Sequence, residues 1–209
     1  HWEVRKAVAD SLASFPTEKA LPIIKKLSKN RKSSVRCIIA QSLASFPTEV
    51  ALPILEKLST DSDWLVREIA AESLASFPAE KTLPLLEKLS TDGDSRVRGA
   101  AARSIASLPP KTALPLLEKL STDSSDGVRS AVARALGSLP TEKALSLLKK
   151  LSTDSSDFVR SAVVHSLASF PSEKALTLLK KLTTDPEPYV RCTAAETLAS
   201  FPPEKALPL

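Results

Sequence analysis

VRSAVVHSLASFPSEKALTLLKKLTTD, residues 159–185, places apolar side chains at Val159, Val163, Val164 and Leu167. That helical spacing puts one apolar stripe on a first helix. Ser156 or Asp157 is suited to cap its start. Pro171 disfavours helical geometry in the residue before it, so the first helix ends by Phe170. Ser172 begins a second helix, with Glu173 near its positive end. Ala175, Leu176, Leu178, Leu179 and Leu182 form the buried face of this second helix, and Thr183-Thr184-Asp185 closes the unit. The stretch reads as a helix–turn–helix pair with short connections.

The same pair recurs every 31 residues. Val-Arg stands at Val4-Arg5, Val35-Arg36, Val66-Arg67, Val97-Arg98, Val128-Arg129, Val159-Arg160 and Val190-Arg191, with no copy out of step. A period of this size marks a solenoid, in which stacked units share a continuous core. The chain of 209 residues is therefore read as a single array over 1–209, six full repeats plus a partial seventh. Aligning the copies on one another assigns packing roles. Pro16, Pro47, Pro78, Pro109, Pro140, Pro171 and Pro202 mark the turn, and Leu21, Leu52, Leu83, Leu114, Leu145, Leu176 and Leu207 mark the second-helix core. Phe15, Phe46, Phe77, Phe170 and Phe201 precede the turn, with Leu108 and Leu139 in two copies. Pro22, Pro53, Pro84, Pro115 and Pro208 lie inside the second helix, where Ser146 and Thr177 stand in the other copies. Proline there removes a hydrogen bond, so a kink or a loose first turn is expected.

Val4-Arg5-Lys6-Ala7-Val8-Ala9-Asp10-Ser11-Leu12-Ala13 and Val128-Arg129-Ser130-Ala131-Val132-Ala133-Arg134-Ala135-Leu136-Gly137 carry a pattern that resembles the HEAT-like repeats, specifically the short class named after phycobilisome lyases. The resemblance covers essentially the whole chain. It implies an all-α, right-handed α-solenoid of stacked antiparallel helix pairs, with the variable face of the first helices lining an inner, concave groove. It also implies a scaffold for proteins, since a minority of such arrays handle nucleic acid or belong to enzymes. Ser-Phe-Pro or Ser-Leu-Pro replaces the common glycine-containing turn, and the second-helix leucines are spaced differently.

The residues that differ between copies are the candidates for function. One place before each Val stand Glu3, Ser34, Leu65, Arg96, Gly127, Phe158 and Tyr189. Two places after it stand Lys6, Cys37, Glu68, Gly99, Ser130, Ser161 and Cys192, and six places after it Asp10, Gln41, Glu72, Arg103, Arg134, His165 and Glu196. Spacings of three and four put these sets on one helix face. Trp2 and Trp64 stand two places before their Val, so every aromatic outside the pre-turn Phe series belongs to this region. Exposed aromatics are enriched at interfaces. The expected partner-binding residues are therefore Trp2, Trp64, Leu65, Glu68, Glu72, Arg96, Arg103, Arg134, Phe158, His165, Tyr189 and Glu196. Trp64, Leu65, Phe158 and Tyr189 would anchor another protein or peptide, and Arg96, Arg103 and Arg134 would set charge specificity.

The arginines after each Val also form a stripe that would suit nucleic acid. Asp61, Asp92, Asp123, Asp154 and Asp185 recur with the same period, however, and a ladder of Arg–Asp pairs between repeats explains both series. The net charge of +5 and pI near 9.2 permit nucleic-acid contact through lysine-bearing outer faces. Against it, the variable positions carry Glu3, Asp10, Glu68, Glu72, Asp126, Asp157 and Glu196 against Lys6, Arg96, Arg103 and Arg134, an acidic balance ill suited to phosphates. Nucleic-acid binding is thus the first alternative. The second is an accessory or sensor segment of a larger multidomain enzyme.

Other readings are expectations of absence. No Ser-His-Asp set, metal-ligand spacing or glycine-rich phosphate loop can be assembled, so no catalysis, metal or cofactor is expected. No run reaches the ~18 apolar residues of a membrane helix and no signal-peptide pattern is present, so no membrane insertion and a cytoplasmic location are expected. Cys37 and Cys192 lie five repeats apart, too far for a disulfide in a regular array. The chain contains no Met and lacks polar capping repeats. It is therefore read as a segment of a longer protein, open to end-to-end self-association.

Overall fold

The structure, a computed structural model, describes residues 11–12, 14–170 and 173–201. The chain divides into two compact units, His1–Leu108 and Pro109–Leu209. Unit 1 contains α1 (Thr17–Leu27), α2 (Ser33–Ser42), α3 (Thr48–Leu58), α4 (Trp64–Ser73), α5 (Ala79–Leu89) and α6 (Ser95–Ile105). Unit 2 contains α7 (Pro110–Leu120), α8 (Asp126–Gly137), α9 (Glu142–Leu151), α10 (Asp157–Leu167), α11 (Glu173–Leu182) and α12 (Pro188–Ala199). Even-numbered helices are the first helices of their repeats and odd-numbered ones the second. No strand occurs among the described residues. The architecture is an all-α repeat solenoid.

Within each unit the first helices pack flank to flank, α2 on α4 on α6 and α8 on α10 on α12. Small side chains permit that approach: Ala40, Ala70, Ala71, Ala101, Ala133 and Ala162 are all buried. At Gly137 a Cβ would meet Ser166 at 3.0 Å, so α8 and α10 nearly touch there. Ser166 Oγ donates to the Ala133 carbonyl of α8 at 2.8 Å, and Ser73 Oγ makes the equivalent bond from α4 to Ala40 at 2.9 Å. Val66, Val97, Val128, Val159 and Val190 are fully buried beneath.

The second helices supply the bulk. Ile24, Leu55, Leu86, Leu117, Leu148 and Leu179, one per repeat, are completely buried. Each such side chain contributes roughly 1.5–3 kcal/mol of burial. The invariant leucine three residues earlier, expected in the core, is only half-buried in unit 1 at Leu21, Leu52 and Leu83. It borders the gap between second helices, which are held apart by their larger side chains and touch far less than the first helices. The buried face expected for α11 is as observed: Ala175, Leu176, Leu178, Leu179 and Leu182 are all buried.

The prolines do not interrupt the second helices. Pro22, Pro53, Pro84 and Pro115 each lie inside a continuous helix. All four are exposed, so the carbonyl deprived of its partner faces solvent and the cost is small. Phe46, Phe77, Leu108, Leu139 and Phe170 are buried before the turn, whereas Phe15 is 55% exposed. Neither Ser156 nor Asp157 caps α10 with its side chain. Ser156 Oγ instead donates to Asp126 Oδ2 at 3.1 Å, and Asp154 Oδ1 accepts the Ser156 N–H at 2.9 Å. Asp63 and Asp94 do cap α4 and α6, through Leu65 N and Arg96 N, each at 2.9 Å.

The Arg–Asp ladder is formed within both units. Arg36 holds Asp61 with a two-pronged fork at 2.6 and 2.7 Å, and Arg67 holds Asp92 at 2.8 Å through both prongs. Arg129–Asp154 and Arg160–Asp185 repeat the geometry at 2.7 to 2.9 Å. The remaining nitrogen of each fork donates to a backbone carbonyl six residues earlier, at Asn30, Asp61, Asp123 and Asp154. Each aspartate also accepts the N–H two residues on. At Asp61, Asp92 and Asp185 burial pushes the carboxyl pKa up, but the arginine and backbone hydrogen bonds outweigh it and the net shift is downward. At Asp154 the bond from Arg129 is the leading cause of a downward shift.

Candidate protein-interaction surface

The varied first-helix positions separate into exposed and buried sets. The positions one before and six after each Val remain at the surface, two turns and about 10 Å apart along the helix. Most positions two after it turn into the flank between first helices: Cys37, Gly99, Ser130 and Ser161 are buried and Glu68 is mostly covered, while Cys192 stays exposed. The physical reason is that flank-to-flank packing leaves room there only for small side chains. Neither cysteine forms a disulfide; Cys37 is buried and Cys192 exposed.

In unit 1 the expected residues converge on α4 and α6. Arg96 lies with its guanidinium carbon 3.3 Å from the centre of the Trp64 ring, a cation–π stack. The same guanidinium binds Asp94 at 2.6 and 2.9 Å, and that bond leads the drop of the Asp94 pKa to about 2. Arg103 donates to Glu72 at 2.7 Å and lies 3.8 Å from Glu68. Burial, reinforced by the nearby Glu72 charge, pushes the Glu68 carboxyl up despite Arg103. Leu65, Glu68, Glu72 and Gln41 line an open depression of about 400 Å³. Arg96 and Arg103, expected to set charge specificity, are thus engaged within the chain. Trp2 lies outside the described residues.

In unit 2 the expected residues lie on α8, α10 and α12. Phe158 is 71% exposed and Tyr189 62% exposed, at equivalent places on the first turns of the neighbouring helices α10 and α12. Together they present two unpaired rings to solvent. Two turns further on, Arg134, His165 and Glu196 are exposed. Arg134 has no ion-pair partner among the described residues. His165 Nδ1 donates to the Ser161 carbonyl at 2.9 Å, which leaves Nε2 facing outward. Cys192 Sγ donates to Glu196 Oε1 at 3.5 Å, and this bond to the carboxylate pushes the thiol pKa up.

Among the described residues, no group of three His, Cys, Asp or Glu is arranged to hold a metal ion, and no helix is long and apolar enough to cross a membrane.

Flank-packed helix pairs, a repeated Arg–Asp ladder and variation concentrated at surface positions define a helical-repeat solenoid. A family model described as HEAT repeats matches residues 1–75, 82–168 and 151–209. The chain belongs to the HEAT-repeat family. No curated protein matches it. Among solved structures, the Escherichia coli protein YibA is similar at 18% identity and a TM-score of 0.68, over 93% of this chain and 74% of that one. The complex of CpcE and CpcF of phycocyanin lyase from Nostoc sp. PCC7120 is similar at 18% identity and a TM-score of 0.57, over 99% of this chain and 85% of that one. A designed armadillo repeat protein in complex with the peptide (KR)4 is similar at 23% identity and a TM-score of 0.56, over 87% of this chain and 99% of that one. At these identities the likeness shows the fold.

Proposed function

We propose that the chain is a non-catalytic, cytoplasmic scaffold that recognises another protein or peptide through the exposed edge of its first helices. The observation that carries this reading is the pair of exposed rings, Phe158 and Tyr189, repeated at one place on adjacent helices. Large exposed apolar side chains that recur in register are what a recognition surface requires and what drifting surface would lose. Trp64 and Leu65, with Arg96 stacked on the indole, form the corresponding anchor in unit 1. Arg134, His165 and Glu196 supply polar selectivity around the rings in unit 2. The designed armadillo repeat protein of similar fold was solved in complex with a peptide, which supports a peptide or protein partner.

The arginine stripe is a poor candidate for phosphates, because Arg36, Arg67, Arg129 and Arg160 are already held by aspartates. The test is capture from the source lysate at two salt concentrations, beside a variant with Trp64, Leu65, Phe158 and Tyr189 changed to Ser. A salt-tolerant protein retained by the native chain and lost by the variant is expected. Equal capture by both, or capture of nucleic acid alone at low salt, overturns the reading.

A further inference from the structure

Two second helices of unit 2, α9 and α11, differ from α3, α5 and α7 in two aligned ways. Ser146 and Thr177 stand where Pro22, Pro53, Pro84 and Pro115 stand elsewhere. Lys149-Lys150 and Lys180-Lys181 replace the Glu-Lys pairs of α3, α5 and α7. Both changes fall on the neighbouring helices α9 and α11. Between these helices lies a groove of about 540 Å³. The buried Leu145 and Leu178 line it as an apolar floor, together with the exposed Ser146, Thr177, Lys149 and Lys181. The hydroxyls of Ser146 and Thr177 donate to the carbonyls of Glu142 and Glu173, at 2.9 and 2.8 Å, so their protons are committed within their own helices.

The charge of this groove is one-sided. Its acid, Glu142, is taken by Lys174 at 2.9 Å. Lys149 and Lys181 have no ion-pair partner among the described residues. Unit 1 has a groove of nearly the same size, about 530 Å³, between α1 and α3. There Lys25, Lys29 and Lys57 share the lining with two acids, Glu49 and Asp61, whereas Lys149, Lys174 and Lys181 share the α9–α11 groove with Glu142 alone, so the shape recurs with a smaller basic excess.

We propose that the α9–α11 groove docks an acidic segment of a protein partner. An apolar residue of that segment lies over Leu145 and Leu178, and its flanking carboxylates meet Lys149 and Lys181. The chemistry favours carboxylates over a nucleic-acid backbone. No aromatic ring lines the groove to stack a base, no arginine offers a fork to phosphate, and an apolar floor separates the two lysines. This site is separate from the first-helix surface, and either can fail without the other.

The test is fluorescence anisotropy with a labelled short peptide of repeating Glu-Leu-Glu. The comparison probes are Lys-Leu-Lys and Glu-Gly-Glu peptides and a single-stranded DNA of similar length. The acidic Leu-bearing peptide is expected to bind the native chain, and Lys149→Glu with Lys181→Glu to weaken it at least roughly tenfold. Lys57→Glu, in the unit 1 groove, is expected to leave binding unchanged. All three lysines are exposed, and unchanged thermal melting checks that the variants fold. Equal binding by the Lys149/Lys181 variant, an equal loss with Lys57→Glu, equal affinity for the Glu-Gly-Glu peptide, or tighter binding of DNA overturns the proposal.

Discussion

Asp92 accepts two prongs from Arg67 on α4 and the N–H of Asp94 at the entry to α6, so one carboxylate joins two neighbouring first helices. Its removal leaves a mostly covered guanidinium without its counter-charge. Asp92→Ala is therefore expected to destabilise the fold by about 2 kcal/mol, read from urea unfolding, between the costs of exposed and fully buried pairs. The ladder carboxyls are held below their ordinary value of 3.8. Their contribution is present above that value and is lost as pH falls through the lower folded values. Stability should drop as pH falls below about 4, and Asp92→Asn should flatten that drop. Glu68 has the opposite sign. Its folded pKa is raised above 4.5, so the charged form penalises the fold at neutral pH and the penalty vanishes in acid. Glu68→Gln is expected to raise the melting temperature at pH 7 and to lose that advantage as pH approaches 4.5. The ladder was legible in the sequence because two residue series share one period. The burial of Cys37, Gly99, Ser130 and Ser161 was not, because helical spacing specifies a face without saying how wide the solvent-facing part of it is.

At the scale of the helix, the first helices meet through small side chains and buried hydroxyls. Ser166 reaches the Ala133 carbonyl on α8, whereas Ser42 bonds only within α2, to Ile39. Ser166→Ala should cost about 1 kcal/mol and Ser42→Ala clearly less, both measured by denaturant unfolding. The helix pair, its turn and the leucine face of α11 were readable from periodicity. The behaviour of the prolines was not, because their tolerance depends on Pro22, Pro53, Pro84 and Pro115 all facing solvent. Nor were the grooves between second helices readable. They arise from the difference in side-chain volume between Ala-rich and Leu-rich flanks, which becomes a gap only when the helices are stacked.

Over the whole molecule, a repeated core frees the surface positions to vary, and what stands there decides what the solenoid binds. The anchors were visible in the sequence as aromatics outside the pre-turn Phe series. The structure divides them between units, with Trp64 stacked under Arg96 in one and Phe158 and Tyr189 bare in the other. Exposed rings add little to folding, so recognition and stability separate cleanly at Phe158 and Tyr189. The decisive measurement is a calorimetric titration of the captured partner against the native chain and a Phe158→Ser, Tyr189→Ser double variant. Recognition through the first-helix edge requires at least a roughly hundredfold loss of affinity, with thermal unfolding of the variant unchanged. Undiminished affinity in a variant that melts normally would contradict it.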